Sequence, residues 1–376
     1  MDSRYFIELR HELHQIPELA YHEFKTAEVI KRELSKMGIE YVDKIGKSGI
    51  VATIKKGNLD RSIAIRADMD ALPIKEENDL EYKSKHEGVM HACGHDGHMA
   101  ILLAAISLIK EIDFNGVVHF IFQPAEEGGA GAKAMIEDGL FERFKIDKIF
   151  ALHNRPTEEF GKFFIREGVV TSIVDNWKIE IIGKSTHSSQ PQNGINPIVV
   201  ASHIILALKN ISALNLSPQT PHVVSVAKIN SGDAFNIIPD KTFIEGSIRA
   251  FDKETQLLIE QRIKDISKNI ALAFGAKANI EYNYLYPATV NSDCKGAKRA
   301  AINVVGKENL VTEYPPSMGS EDFSFFLEKK KGCYIWLGSK KGDKITPLHS
   351  SKYDFNDDLI EIGANFWKEL VKEELS

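Results

Sequence analysis

The chain reads as an α/β protein with a mainly parallel sheet, interrupted by an inserted ferredoxin-like α+β module. Three observations carry that expectation. Strand and helix patterns alternate through the first part of the chain; a β-α-β-β-α-β order follows from Trp177; and the alternating pattern resumes after Tyr286-Pro287. With 376 residues, 43% of them hydrophobic, the chain has apolar material for two cores, since single cores rarely grow past roughly 250 to 300 residues. The expected organisation is a catalytic domain in two parts, residues 1–176 and 287–376, around an insertion at 177–286.

Each element has its own signal. The first 37 residues read as two helices broken near Pro17, the second carrying Ala27, Ile30, Leu34 and Met37 at helical spacing. Residues 50–55, 62–66, 117–122 and 148–152 read as strands, 98–110 as an almost wholly apolar buried helix and 131–137 as a short one. In the insertion, strands are expected at 177–182, 223–229, 242–249 and 277–284. Its two helices are one opened by Asn196-Pro197, a cap followed by proline at the first helical position, and a long one at 253–274. Helices near 293–305, 321–327 and 356–373 and a strand at 333–337 return to the first domain. Near-continuous apolar strands with helices between them imply a sheet covered on both faces.

A net charge of -6 gives no general attraction for nucleic acid or acidic membranes. The opening Met1-Asp2-Ser3-Arg4-Tyr5-Phe6 leads into an amphipathic pattern rather than a signal h-region or a span, so the expectation is a cytoplasmic protein without a membrane segment. Cys93, Cys294 and Cys333 are too few and too scattered for a disulfide framework, which fits a reducing compartment and leaves Cys93 free to be a ligand.

The most informative run is His91-Ala92-Cys93-Gly94-His95-Asp96-Gly97-His98, with three imidazoles, a thiol and a carboxylate in eight residues. Alone it would read as a buried thiol in a His-rich loop. Thiolate and imidazole together suit zinc or a similar ion, and the lack of a C-x-x-C partner argues against a structural zinc finger. Arg66 to Asp70, Gln123 to Glu127, His153-Asn154 and His349 each follow an expected strand at its carboxyl end, the edge where open α/β sheets place their sites. Glu126 and Glu127 are neighbours on a turn, so one can bind metal while the other moves a proton; Glu126 is assigned as the base and Glu127 as the ligand. The set Cys93, His95, Glu127, His153 and His349 is long enough for two divalent ions roughly 3.5 to 4 Å apart if one ligand bridges.

These runs, with Ala71-Leu72-Pro73 after Asp70, Gly128 after Glu127 and Leu348-His349-Ser350, resemble the aminoacylase, carboxypeptidase and hippurate hydrolase family of co-catalytic metallohydrolases. The likeness is greatest to the amidohydrolase branch containing hippurate hydrolase, auxin-conjugate hydrolases and N-acetyldiaminopimelate deacetylase. It spans essentially the whole chain. It implies ligand positions at Cys93, His95, Glu127, His153 and His349, the general base at Glu126, and at Asp70 a carboxylate that orients a ligand from behind. The wider family has a metal-binding His where this chain has Asp68, and Cys93 supplies the replacement. The implied cofactor is a pair of divalent ions, zinc, manganese, cobalt or nickel.

In the insertion, Gly183 to Pro191 resembles the family loop whose His, here His187, steadies the oxyanion of a partner subunit's site, which makes the module a lid and dimerisation domain and the protein a homodimer. Asn236 and Arg249 match positions that contact the substrate carboxylate. From the residues alone, His187 reads as a turn residue on a polar loop, and Arg249 equally as a strand-face ion-pair partner. The reaction implied is cleavage of the amide of an N-acyl-L-amino acid, with dipeptides or small peptides as the alternative substrate. Two other readings stand beside it: a non-catalytic metal or ligand binder, which a second carboxylate, Glu126, beside the ligand Glu127 opposes, and a cysteine-nucleophile hydrolase using Cys93 and His95.

Overall fold

The structure, a computed structural model, describes residues 2–342 and 345–376. Two compact units emerge, one comprising residues 1–170, 289–315 and 322–376, the other residues 171–288 and 316–321. In chain order the first unit begins with α1 (Ser3–Gln15), α2 (Phe24–Met37), β1 (Glu40–Ile45), β2 (Gly49–Lys56), β3 (Ser62–Asp68), α3 (His95–Ile109) and β4 (Gly116–Gln123). It continues through the irregular turn α4 (Glu126–Gly129), α5 (Gly131–Glu137), α6 (Leu140–Arg143), β5 (Lys148–Arg155), β6 (Phe163–Phe164) and β7 (Gly168–Thr171). The insertion supplies β8 (Ile173–Ile182), β9 (Thr186–His187), α7 (Pro197–Asn210), β10 (His222–Ser231), β11 (Ile237–Ile238), β12 (Lys241–Ala250), α8 (Lys253–Ala273) and β13 (Lys277–Tyr286). The return segment is β14 (Thr289–Asn291), α9 (Lys295–Val305), β15 (Leu310–Val311), α10 (Ser324–Lys329), β16 (Lys331–Gly338) and α11 (Leu359–Leu375).

The large sheet has the order β1-β2-β4-β3-β5-β16-β6-β15. Its centre, β4, β3, β5 and β16, is parallel, with antiparallel pairings at β1/β2, β2/β4 and β16/β6. Both faces are covered, as the apolar strands require. Ile63, Ile65 and Ala67 of β3, Phe120 and Phe122 of β4, and Ile335 and Leu337 of β16 pack with α3 and α11. The residues between them, Ala64, Ile121 and Tyr334, join Met135 and Phe326 on the other face. α3 lies almost wholly inside, which is why its sequence shows no polar stripe.

The second unit has strand order β10-β12-β8-β13, antiparallel throughout. Numbered within the module, that is second, third, first, fourth, the ferredoxin-like arrangement. Asn196 caps α7 by accepting the Ile198 N–H at 3.0 Å, and Asp252 caps α8 through the Thr255 N–H at 2.7 Å. One face of α7 (Val200, Ile204, Leu208) enters a core with Trp177, Ile179, Ile259 and Ile263. Residues 197–215 are long and apolar enough to cross a membrane by length and composition, but that buried face is committed to the sheet.

The cysteine expectation needs one correction. Cys294 and Cys333 form a disulfide, Cα to Cα 5.3 Å, leaving Cys93 as the free thiol among the described residues. A separation of 39 residues looks scattered in sequence, but the residue capping α9 is brought beside β16, a proximity that only the fold supplies.

Candidate metal centre

The site forms at the carboxyl ends of β3, β4 and β5, where α3 begins. Gly94 opens α3 at φ 92°, and a Cβ there would fall 2.5 Å from Asn154 Oδ1 and 2.9 Å from the Tyr353 hydroxyl, so the approach requires glycine. This left-handed entry turns the chain between Cys93 and His95. Loop residue His349, at φ 62°, is tied to the same segment by its N–H to Ala92 O at 2.8 Å.

The donor atoms of Asp68, His95, His98 and His153 lie within 4.8 Å of one another, as do those of Cys93, Glu127 and His349, and of His95, Glu126 and Glu127. His95 and Glu127 each belong to two of these groups, so the clusters interlock. Cys93 Sγ lies 3.4 Å from His153 Nε2, and His349 Nε2 lies 3.1 Å from Glu127 Oε1. All five expected ligands are therefore brought together. The site is not isolated from its backbone: His95 Nδ1 donates to Asp70 O at 2.9 Å, and His153 Nδ1 to Asn154 O at 2.8 Å. Each ring thus keeps Nε2 for the cluster.

Asp70 spans the two glutamates. Its Oδ1 accepts the Glu126 N–H at 3.0 Å and its Oδ2 the Glu127 N–H at 2.9 Å. The turn they hold is irregular, with Ala125 at φ 53° and Glu127 at ψ 78°, so the adjacent carboxylates diverge. Glu127 reaches His349, while Glu126 Oε1 accepts the Asp322 N–H at 3.4 Å.

Electrostatics match a cation. Burial and the charges of Glu127, Glu126 and Asp68 hold the Cys93 thiol well above its usual value. Burial pushes the His153 pKa far down, so the ring is neutral with a lone pair to offer. Burial works against a charge on His95, but Asp68 and Asp70 outweigh it and bring the ring up to about 10. His95 Nε2 is buried without a hydrogen-bond partner; Asp68 Oδ2 lies 3.6 Å away. An orphaned imidazole nitrogen, a neutral histidine, a thiol and a dense group of carboxylates suit one or two soft-to-borderline divalent ions. The same acids oppose the Cys93 and His95 nucleophile pair, which needs an electropositive setting for its thiolate.

Two contributors carry no assigned role in the sequence reading. His98, one turn after His95 on α3, hydrogen-bonds Asp68 Oδ1 and Asn154 Oδ1, both at 2.6 Å, and the spacing of three was a usable signal. Asp322 accepts from Arg66 at 3.1 Å, Gln123 at 2.8 Å and the Ala132 N–H at 2.9 Å.

His187, Asn236 and Arg249 belong to the second unit. β9 and β11 pair His187 with Ile237, and the Ser188 N–H donates to Asn236 O at 3.0 Å, so one exposed ribbon carries both residues. The Ser189 N–H donates to His187 Nδ1 at 3.1 Å. A backbone N–H can only donate, so the neutral ring carries its proton on Nε2. Arg249 lies apart on β12, half-buried, donating to Ser320 Oγ at 3.0 Å.

The model of the peptidase family M20/M25/M40 matches residues 64–373. The hippurate hydrolase of Campylobacter jejuni is 44% identical over 97% of this chain and 95% of its own length. The N-acetyl-L-cysteine deacetylase of Bacillus subtilis is 40% identical over 98% of this chain and 88% of its own. A crystal structure of a Bacillus subtilis protein described as a dinuclear metal binding peptidase superposes with a TM-score of 0.84 at 32% identity, covering 98% of this chain and 97% of that one.

Proposed function

The chain belongs to the M20/M25/M40 peptidase family, and from that premise we propose that it is a metal-dependent amidohydrolase that cleaves N-acyl-L-amino acids to a carboxylic acid and a free amino acid. The observation that carries this reading is Glu126. It is a buried carboxylate on a turn clamped by Asp70, next to Glu127, which faces His349. Relatives named hippurate hydrolase and N-acetyl-L-cysteine deacetylase support the substrate class.

In this reading Cys93, His95, Glu127, His153 and His349 hold two divalent ions, with zinc, manganese, cobalt and nickel all compatible with the mixed donor set. The ions, when bound, polarise the acyl oxygen and lower the pKa of a water. Glu126 takes the proton of that water and delivers it to the leaving nitrogen. Asp70 keeps the Glu126 and Glu127 backbone fixed while the charge on Glu126 changes. His187 offers Nε2–H to the developing oxyanion, and Asn236 and Arg249 bind the substrate carboxylate, Arg249 through its planar fork.

The active unit proposed is a homodimer through the inserted domain. β10 is an edge strand, and α7 and the turn after it expose Val199, Leu206 (71%) and Leu214 (75%). An unpaired edge beside exposed apolar side chains suits a two-fold partner.

The test is Glu126→Gln assayed on hippurate and N-acetyl amino acids with manganese, cobalt or zinc. Turnover should fall about 10²-fold or more with metal retained; near-normal turnover refutes the base. For the dimer, mixed Glu126→Gln and His187→Ala subunits should regain activity, and proven heterodimers without recovery would defeat a shared site.

A further inference from the structure

The turn that carries Glu126 is held against the preference of its own backbone. Ala125 sits at φ 53°, ψ 44°, left-handed and disfavoured for any residue with a Cβ. Three consecutive N–H groups run through the turn, and Asp70 accounts for those of Glu126 and Glu127. The Ala125 N–H goes to Glu23 Oε1 at 2.9 Å. Glu23 comes from the loop before α2 and is fully buried. Its Oε1 also accepts the Tyr21 N–H at 2.9 Å, and its Oε2 accepts the Ser48 hydroxyl at 2.6 Å. The Tyr21 hydroxyl then donates to Gly129 O at 2.6 Å, so the same loop grips the turn at both ends.

We propose that Glu23 is a positioning residue: its carboxylate locks Ala125 in the left-handed conformation and so sets where Glu126 aims its own. The assignment rests on Glu126 as the base. A buried carboxylate that accepts three donors from three segments, Tyr21, Ser48 and Ala125, has a fixed position. Burying it is tolerable only because those donors are there. Reach, rather than charge, is the property the turn requires. A base displaced by about 1 Å loses on the order of 10²-fold in rate.

The experiment compares Glu23→Asp, Glu23→Gln and Glu23→Ala in the full chain. It measures kcat and KM at saturating cobalt, the visible spectrum of the protein titrated with cobalt(II) alone, and thermal stability. Aspartate keeps the charge but withdraws it by one methylene, so kcat should fall about 10- to 100-fold in Glu23→Asp and Glu23→Ala, with KM within about two-fold. Glu23→Gln should recover most of the loss, because its amide oxygen still accepts from Tyr21 and Ala125 while Ser48 turns to accept. The cobalt spectrum should change in the Asp and Ala variants, since the next residue in the turn is the ligand Glu127. If Glu23→Ala does not fold, the Asp and Gln pair decides. Unchanged kcat in Glu23→Asp, Glu23→Gln as impaired as Glu23→Asp, or losses that only track unfolding would each overturn the assignment. Glu126→Gln is assayed alongside: if it stays active the base reading has failed, while the cobalt spectra still report whether Glu23 holds the turn.

Discussion

Replacing Asp70 by asparagine probes the clamp with the least change of shape. Asp70 makes two hydrogen bonds to backbone N–H groups through separate oxygens, at 3.0 and 2.9 Å, inside a buried site. In Asp70→Asn the remaining oxygen can serve one donor, but the new NH₂ faces the other N–H. One charge-assisted bond of about 1.5 to 3 kcal/mol is lost and a buried donor goes unpaired, so the turn is destabilised by roughly 2 to 4 kcal/mol. Because Glu127 rides on that turn, metal affinity should weaken about 10- to 100-fold, the usual cost of removing a group that orients a ligand. Because Glu126 rides on it too, kcat should stay depressed even at saturating metal. Competition with a chromophoric chelator gives the dissociation constant, and steady-state assays at high metal give kcat. A dissociation constant within two-fold of the parent, with unaltered kcat, would refute the clamp and leave Asp70 as a spectator.

Three further outcomes follow from the geometry. Cys93→Ser should weaken metal binding, with excess metal restoring part of the turnover; loss of activity at unchanged metal affinity would instead revive the thiol mechanism. Two-bond ¹H–¹⁵N correlation on histidine-labelled protein should find His187 with Nδ1 bare and Nε2 protonated, and the opposite tautomer would remove the donor assigned to the oxyanion. Burial holds the His119 pKa down at about 4, the ring accepting from Thr53 Oγ1 at 2.9 Å and donating to Lys145 O at 3.0 Å. Between pH 4 and the unfolded value of about 6.5 the unfolded chain binds the extra proton, so this stability is lost as pH falls through that window, by up to about 3 kcal/mol. Urea midpoints at pH 7 and pH 4.5 should converge more in His119→Gln than in the parent, and identical pH dependence in the two would exclude the effect.

The parts of the molecule legible in sequence are those with local causes. Asn196-Pro197 announced the start of α7, the apolar runs at 62–66, 117–122 and 148–152 announced a sheet buried on both faces, and the His91 to His98 run announced a metal site. Glu23 was not legible, nor was the role of Asp322. Each serves the site through backbone N–H groups more than a hundred residues away, and such pairing leaves no periodicity or spacing to read. The Cys294–Cys333 pair was missed for the same reason. The short strands β9 and β11, two residues each, fall below any alternating pattern, although they hold His187 and Asn236 on one ribbon.

The charges of the site explain why the supporting shell is so elaborate. Asp68, Asp70, Glu126 and Asp322 are all buried, and isolated carboxylates in such a place would take up protons instead of remaining ionised. Asp68 is nonetheless held well below the usual carboxylate range, because His95, Arg66 and His98 outweigh its burial. Asp322 draws on the same Arg66. The fixed cations are thus spent on the carboxylates behind the site, Asp68 and Asp322. At Glu127, His349 and His95 together with a hydrogen bond from Cys93 outweigh burial and hold the carboxyl below its usual value, whereas at Cys93 burial and the neighbouring carboxylates push the thiol up. Divalent ions would complete this balance by replacing the protons on His95 and on the thiol. Metal binding should therefore release protons, and calorimetric titration with zinc in buffers of different ionisation enthalpy should give heats that differ between buffers. Buffer-independent heats would mean that the ligands are already deprotonated, against the charge distribution described.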